Sequence, residues 1–276
     1  MASRAEHTTF IAMDTHPNIC TGTDDFADLL LNSSIFVDKS LFIKEFLLNS
    51  GKAILITRPR RWGKSLNMDM LGRFLSIEVD QDGQPIPQEQ SLNRKLFLGG
   101  EVEIKPGKTK QLAPLKIAQY DEVVEDYQGQ FPVISLGLKD VKAGSYAQLM
   151  TQVGEALAET FEAHAYLLNS DKISPYQKKT LEDFITENAD LASFTASLKF
   201  LSKLLYKHFQ RPVYILVDEY DTPINHAYLK LKDKAPEVFE QVLELFRNLL
   251  GKTFKGNKCL ERGLITGILR IAKANI

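Results

Sequence analysis

Hydrophobic residues along the chain form two kinds of pattern, short continuous apolar runs and longer stretches with helical spacing. The continuous runs occur at residues 53–56, 131–138, 213–217 and 263–270. Apolar runs of this length are typical of parallel strands that are buried on both faces. Because helical stretches separate them, the sequence predicts an α/β fold with a mainly parallel sheet sandwiched between helices and right-handed crossovers.

Apolar residues at helical spacing predict the elements between these strands. The predicted helices begin near Phe26, cover 40–48, follow Ser65, cover 145–168, begin at Ser174, hold the leucines of 191–205 and hold the apolar stripe of 238–249. Asp38 is the predicted N-cap of the helix at 40–48. His164, near the end of a helix, is interpreted as a satisfied surface or core residue.

Four stretches show neither a continuous apolar run nor helical spacing of apolar residues. Residues 1–22 are predicted to be an N-terminal arm, which leaves 23–276 as one domain. Residues 78–90 are polar and contain two prolines, which indicates an exposed excursion. Residues 99–130 fit either a small hairpin insertion or a lid. Residues 222–224, Thr-Pro-Ile, are predicted to be a turn that starts a polar connection.

Charge and cysteine usage narrow the function classes. The chain has 34 basic and 35 acidic residues, a net charge of −1, which gives no overall electrostatic footprint for nucleic acid or an anionic membrane. Cys20 and Cys259 lack partners at metal-ligand spacing. No apolar run approaches the roughly 18 residues of a membrane span. We therefore expect a cytoplasmic protein with structural thiols.

The segment between the first predicted strand and its helix has the character of a phosphate-binding loop and ends in Gly63-Lys64-Ser65. Backbone N–H groups and the positive end of the helix would surround an anionic phosphate. Lys64 would reach the outer phosphates, and the Ser65 hydroxyl would bind Mg²⁺. Arg58 replaces the first glycine of the usual G-x-x-x-x-G-K-[ST] motif, so a basic surface turn remains the alternative interpretation.

Two acids follow the apolar run at 213–217. Asp218 and Glu219 would lie at the carboxyl end of a central parallel strand, where ligands bind in such sheets. Asp218 would hold Mg²⁺, and Glu219 would activate the water that attacks the γ-phosphate. A pair of acids that merely starts a solvated loop is the alternative.

Four segments together resemble the AAA-ATPase-like family over most of the chain, from about Phe26 to Ile276. They are residues 37–40 (Val-Asp-Lys-Ser), 57–66 (Thr-Arg-Pro-Arg-Arg-Trp-Gly-Lys-Ser-Leu), 218–224 (Asp-Glu-Tyr-Asp-Thr-Pro-Ile) and 265–270 (Ile-Thr-Gly-Ile-Leu-Arg). An Arg-Pro-Arg-Arg loop is usual in this family, although Trp62 stands where Phe is expected. The resemblance implies an ASCE-type P-loop ATPase that uses ATP with Mg²⁺.

The resemblance also implies roles for single residues. Thr266 would sense the γ-phosphate, and Arg270 would contact nucleotide or a neighbouring subunit; without the resemblance they are an ordinary strand residue and a surface charge. It also keeps open a nucleotide role for Asp38 and Lys39. The loop residues expected at the nucleotide are Arg60, Arg61, Trp62, Gly63, Lys64, Ser65 and Leu66.

Family members often carry a C-terminal nuclease-like domain of the PD-(D/E)XK type, and no constellation of that kind is recognisable here. The chain stops directly after the last motif, so we expect a C-terminal truncation that removes a helical lid. Two functions follow. The first is ATP hydrolysis by Lys64, Glu219 and Thr266 with Mg²⁺ on Ser65 and Asp218. The second is a nucleotide-dependent switch or protein-interaction module with little turnover. Whether Arg60, Arg61 or Arg270 acts within its own subunit or across a homo-oligomer stays open.

Overall fold

The computed structural model describes residue 20, residues 22–142 and residues 144–271. The arm predicted over residues 1–22 therefore lies almost entirely outside the described residues. The described α-helices are α1 (Phe26–Asn32), α2 (Leu41–Leu48), α3 (Lys64–Leu75), α4 (Leu92–Leu98), α5 (Asp121–Tyr127), α6 (Tyr146–Glu162), α7 (Pro175–Ile185), α8 (Ser197–Phe209), α9 (Thr222–Leu231) and α10 (Pro236–Phe254). Short 3-10 segments cover Lys116–Gln119, Ala165–Asn169 and Leu191–Ala196.

Six strands form two sheets in the described part of the chain. They are β1 (Ala53–Thr57), β2 (Gly100–Lys105), β3 (Lys108–Leu112), β4 (Val133–Gly137), β5 (Val213–Asp218) and β6 (Leu260–Gly267). The four apolar strands make one sheet in the order β1-β6-β5-β4, with every neighbouring pair parallel. The last strand along the chain therefore lies between β1 and β5, and the carboxyl ends of these three strands meet at one edge.

Successive strand residues point to opposite sides of this sheet. Both faces therefore carry apolar side chains, and helices cover both. On one face, buried residues of α3 such as Met70 and Phe74 pack in one cluster with Tyr214, Leu216 and Leu264. On the other face, residues of α6, α8 and α10 pack in a cluster that holds the buried isoleucines of the strands, Ile134, Ile215 and Ile265. The predicted parallel sheet between helices is confirmed.

Of the two interpretations of residues 99–130, the structure shows a hairpin over residues 100–112, where β2 and β3 pair antiparallel around a turn at Gly107. Lys110 of β3 donates hydrogen bonds from Nζ to the carbonyl oxygens of Leu30 and Leu31, at 2.7 and 2.9 Å. The hairpin is therefore tied to the C-terminal end of α1.

Two helix predictions and one turn prediction were wrong in detail. The helix predicted over 145–168 ends at Glu162; beyond it, His164 is buried, and its Nδ1 lies 3.1 Å from the Tyr166 hydroxyl. The helix predicted over 191–205 starts as a 3-10 segment and becomes α-helical only at Ser197. The turn predicted at 222–224 is the first turn of α9, where Pro223 is tolerated because no N–H is needed there.

Asp38 does not cap α2, which begins one residue later than predicted, at Leu41. Its Oδ1 accepts from the amide of Ser40 at 2.8 Å, and its Oδ2 accepts from the amide of Lys116 at 2.7 Å. Burial opposes ionisation of this carboxyl, but these hydrogen bonds hold the pKa of Asp38 below its usual value. Asp38 therefore joins two segments of the chain instead of starting a helix.

Candidate functional site

The loop between β1 and α3 begins as a continuation of the sheet. The amide of Arg58 donates to the carbonyl oxygen of Gly267 at 3.1 Å, which fixes the loop start to the end of β6. Arg61 and Gly63 then adopt left-handed conformations, with φ of 65° and 71°. These conformations turn the chain back so that α3 starts at Lys64. The first amides of α3 have no partner within the helix and favour an anion there.

Lys64 closes this loop on itself, because its Nζ donates to the carbonyl oxygen of Pro59 at 3.0 Å. It also lines a cleft of about 500 Å³ beside the loop, together with Thr57, Arg58 and Thr266. The structure therefore brings two of the predicted catalytic residues, Lys64 and Thr266, to one cleft.

The cations of the loop face solvent. Arg58, Arg60 and Arg61 are exposed, and Trp62 has 62% of its surface exposed. Within the described ranges, none of these arginines forms an ion pair with a carboxylate. Together with Lys64 they give the loop a positive potential, which favours an anionic ligand.

The predicted acids meet the last strand at the same edge of the sheet. Thr266 is only 2% exposed, and its hydroxyl donates a hydrogen bond to Oδ1 of Asp218. The amide of Glu219 donates to the same carboxylate oxygen at 3.0 Å. Asp218, Glu219 and Thr266 thus form one hydrogen-bonded group where β5 and β6 end.

Glu219 adopts an unusual backbone conformation, with φ of 51°. Residues other than glycine rarely occupy this left-handed region, and such strain occurs most often at functional sites. The side chain does not extend freely into solvent, because its Oε2 accepts a hydrogen bond from the Thr222 hydroxyl at 2.9 Å.

Tyr220 and Asp221 fix the segment that leaves β6, a role that the sequence did not reveal. Oδ2 of the fully buried Asp221 accepts from the amides of Ile268 and Leu269 at 3.0 and 2.9 Å. The Tyr220 hydroxyl donates to the carbonyl oxygen of Leu269 at 2.8 Å, and burial raises the pKa of this hydroxyl. Arg270 is exposed but belongs to this fixed segment.

Gly267 is required where β6 meets this group. A Cβ built on Gly267 would lie 2.7 Å from Oδ1 of Asp221 and 2.7 Å from the ring of Tyr220. Close packing of the end of β6 against Tyr220 and Asp221 therefore explains why residue 267 is a glycine. Its only sequence signal was its position directly after Thr266.

Lys139 is another residue near the site that sequence reasoning missed. It follows β4, and its Nζ lies 2.9 Å from Oδ2 of Asp24. The hydrogen bond with Asp24 raises the pKa of Lys139, and the negative charge of Asp218 adds to this effect. The carboxyl end of β4 thus carries a cation whose charge interacts with that of Asp218.

An apolar pocket of about 170 Å³ adjoins the other side of the loop. Gly63 and Leu66 form its boundary with α3, and Ile35 and Val37 stand exposed at 52% and 71%. Its remaining lining residues are Phe26, Leu29, Phe36, Lys39, Asn67 and Met70. The segment 35–39, which includes part of the Val-Asp-Lys-Ser motif, is thereby placed against the loop.

The two predicted metal ligands offer only oxygen. Ser65 lies in the first turn of α3, and Asp218 is the last residue of β5. In the part of the chain that the structure describes, no group of three or more His, Cys, Asp or Glu side chains is arranged to hold a metal ion. In the same part, no helix is both long and apolar enough to cross a membrane.

Comparison with known proteins gives one match. A family model described as Predicted AAA-ATPase, AAA-ATPase_like, matches residues 20–88 and 101–276. The matched ranges contain the loop, the two acids at the end of β5 and the whole of β6. No curated protein and no solved structure matches the chain.

Proposed function

This chain belongs to the predicted AAA-ATPase family, and we propose that it is an ASCE-type P-loop domain that binds ATP with Mg²⁺ and hydrolyses it. The position of β6 between β1 and β5 is the observation that carries this proposal. It brings Thr266 against Asp218 and into the cleft that Lys64 lines. Two carboxylates, a hydroxyl and the loop between β1 and α3 thus meet at one sheet edge, which supports a role in phosphoryl transfer.

The loop supplies the phosphate contacts. The amides of Gly63, Lys64 and Ser65 would bind phosphate oxygens at the positive end of α3. Lys64 would exchange its contact with the Pro59 carbonyl for the β- and γ-phosphates. The exposed Arg60 and Arg61 would add positive charge around the triphosphate.

The donor set fits Mg²⁺, which prefers hard oxygen ligands and is usually held by one or two protein groups plus phosphate oxygens. The Ser65 hydroxyl and the Asp218 carboxylate would hold the ion. When bound, it would neutralise charge on the phosphate oxygens. The hydrogen bond from Thr266 fixes the orientation of the Asp218 carboxylate, so that its second oxygen is available for the ion.

Glu219 would act as the general base. Its carboxylate is half-buried at the end of β5, one residue after Asp218. It would take a proton from the water that attacks the γ-phosphate, while Thr266 contacts that phosphate. The apolar pocket between residues 35–39 and α3 would take the adenine, since it begins at Leu66, next to the amides assigned to phosphate.

The Glu219→Gln variant tests hydrolysis directly. It keeps the shape of the side chain but removes the base, so steady-state phosphate release should fall roughly 100-fold or more while Mg·ATP still binds. Glu125→Gln, an exposed residue of α5, is the matched control and should retain full activity. Undiminished turnover in Glu219→Gln would refute the role of this residue. Binding without turnover in the unmodified chain would favour the nucleotide-dependent switch instead.

A further inference from the structure

The Thr222 hydroxyl is the side-chain group that holds the carboxylate of Glu219. It donates to Oε2 at 2.9 Å, and within the described residues Oε1 of Glu219 accepts no hydrogen bond. The two carboxylate oxygens are therefore distinguished: one is fixed to the protein, and the other is left for a different donor.

The position of Thr222 is itself constrained. It is 7% exposed and is the first residue of α9, followed directly by Pro223. Its amide donates to the carbonyl oxygen of Glu219 at 3.0 Å, which closes a tight turn between the two residues. A β-branched side chain has few χ1 rotamers, so the hydroxyl is presented to Glu219 in a restricted geometry.

The main chain of Glu219 is fixed from the opposite direction. Its left-handed conformation, with φ of 51°, is held by its amide, which donates to Oδ1 of Asp218 at 3.0 Å. The backbone is thus tied to the proposed metal ligand, and the carboxylate is tied to the first turn of α9. A glutamate side chain with three rotatable bonds is restrained at both ends.

We propose that Thr222 is a positioning residue for Glu219, an inference that rests on the proposed function above. The Thr222 hydroxyl holds Oε2 so that Oε1 faces the water that Glu219 deprotonates. Oriented groups gain much of their catalytic effect from such placement, and small displacements are costly. Thr222 does not touch the nucleotide, and its effect on hydrolysis passes entirely through Glu219.

Replacement of the hydroxyl by a methyl group tests this role. In Thr222→Val, kcat for Mg·ATP hydrolysis should fall roughly 10- to 100-fold, while KM and the dissociation constant for Mg·ATP stay unchanged. Thr222→Ser, which keeps the hydroxyl, should recover most of the rate. In a Glu219→Gln background, Thr222→Val should add no further loss, because the base is already absent.

Thr253→Val is the matched control, because Thr253 is another buried helical threonine, and its hydroxyl donates to the carbonyl oxygen of Leu249 at 2.7 Å. It should leave kcat unchanged. Equal kcat in Thr222→Val and the unmodified chain would overturn the positioning role, as would equal losses in the Val and Ser variants. If the unmodified chain binds Mg·ATP but does not hydrolyse it, the proposed hydrolysis and the positioning role of Thr222 are both wrong. Measurement of the unmodified chain alone detects this outcome.

Discussion

The hydroxyl of Thr266 donates a hydrogen bond to the carboxylate of Asp218, although 48 positions separate the two residues in the chain. The pairing of β5 with β6 creates this contact, since it aligns Val217 with Ile265 just before the two strands end. The residue proposed to sense the γ-phosphate and the residue proposed to bind Mg²⁺ are therefore directly joined.

Removal of this hydroxyl should slow hydrolysis. In Thr266→Val, kcat should fall roughly 100-fold, because the hydroxyl that orients the carboxylate of Asp218 is lost. Thr266→Ser keeps the hydroxyl and should retain most of the rate. Single-turnover hydrolysis with each variant measures the chemical step. Equal rates in the Val and Ser variants would contradict the sensing role.

Close packing at Gly267 predicts a stability effect. Gly267→Ala should lower the free energy of unfolding by about 1–3 kcal/mol, because the added methyl group overlaps Asp221 and the ring of Tyr220. Gly251→Ala in α10 is the matched control, since no atom lies within 4 Å of a Cβ built there. It should stabilise the protein by roughly 0.5–1 kcal/mol through helix propensity. Urea unfolding of the two variants measures both values, and a Gly267→Ala protein as stable as Gly251→Ala would rule out the packing explanation.

The apolar pocket at residues 35–39 predicts a difference between two ligands. The double variant Ile35→Asn, Val37→Asn should weaken Mg·ATP binding roughly 3- to 10-fold, because apolar contact area with the base is lost. Binding of Mg·tripolyphosphate, which has no base, should not change. Leu229→Asn, at a site 79% exposed on α9, is the control. Equal weakening for both ligands would show that the pocket does not take the base.

Burial of His164 predicts a pH effect on stability. Burial lowers the pKa of His164 to about 4, from about 6.5 in the unfolded chain. Between these values the unfolded chain binds a proton that the folded protein does not, so stability present above pH 6.5 is lost as the pH falls toward 4.

Between pH 7 and pH 5 this residue alone should remove roughly 2 kcal/mol from the free energy of unfolding. His164→Gln should abolish that component while the other titrating groups remain. Urea unfolding at both pH values, compared between the two proteins, isolates it. The same pH dependence in both proteins would show that His164 is not the group responsible.

The elements with the strongest local signals were predictable from sequence. The strands β1, β4, β5 and β6 have continuous apolar runs, and α3 and α10 have clear apolar stripes. Other elements have weaker signals. The strands β2 and β3 are mostly exposed, so their hydrophobic alternation is slight, and Pro223 near the start of α9 was mistaken for a turn residue.

The candidate site residues could be proposed from the sequence, but their contacts could not. The Gly-Lys-Ser and Asp-Glu motifs are local, whereas the order β1-β6-β5-β4 depends on pairings between distant segments. The hydrogen bonds of Asp221 with the segment after β6, and of Thr222 with Glu219, follow from that tertiary arrangement. A sequence pattern reveals neither the strand order nor these hydrogen bonds directly.

The proposed function depends on nucleotide binding by the loop, which thermal unfolding with and without Mg·ATP measures. At about 100 times its Kd, the ligand should stabilise the unmodified chain by roughly 2.7 kcal/mol and raise Tm by about 5–10 °C. Lys52→Ala, at the opposite end of β1, should show the same shift, whereas Lys64→Ala should show almost none. No shift in the unmodified chain at millimolar Mg·ATP, or an undiminished shift in Lys64→Ala, would show that the loop is not a nucleotide site.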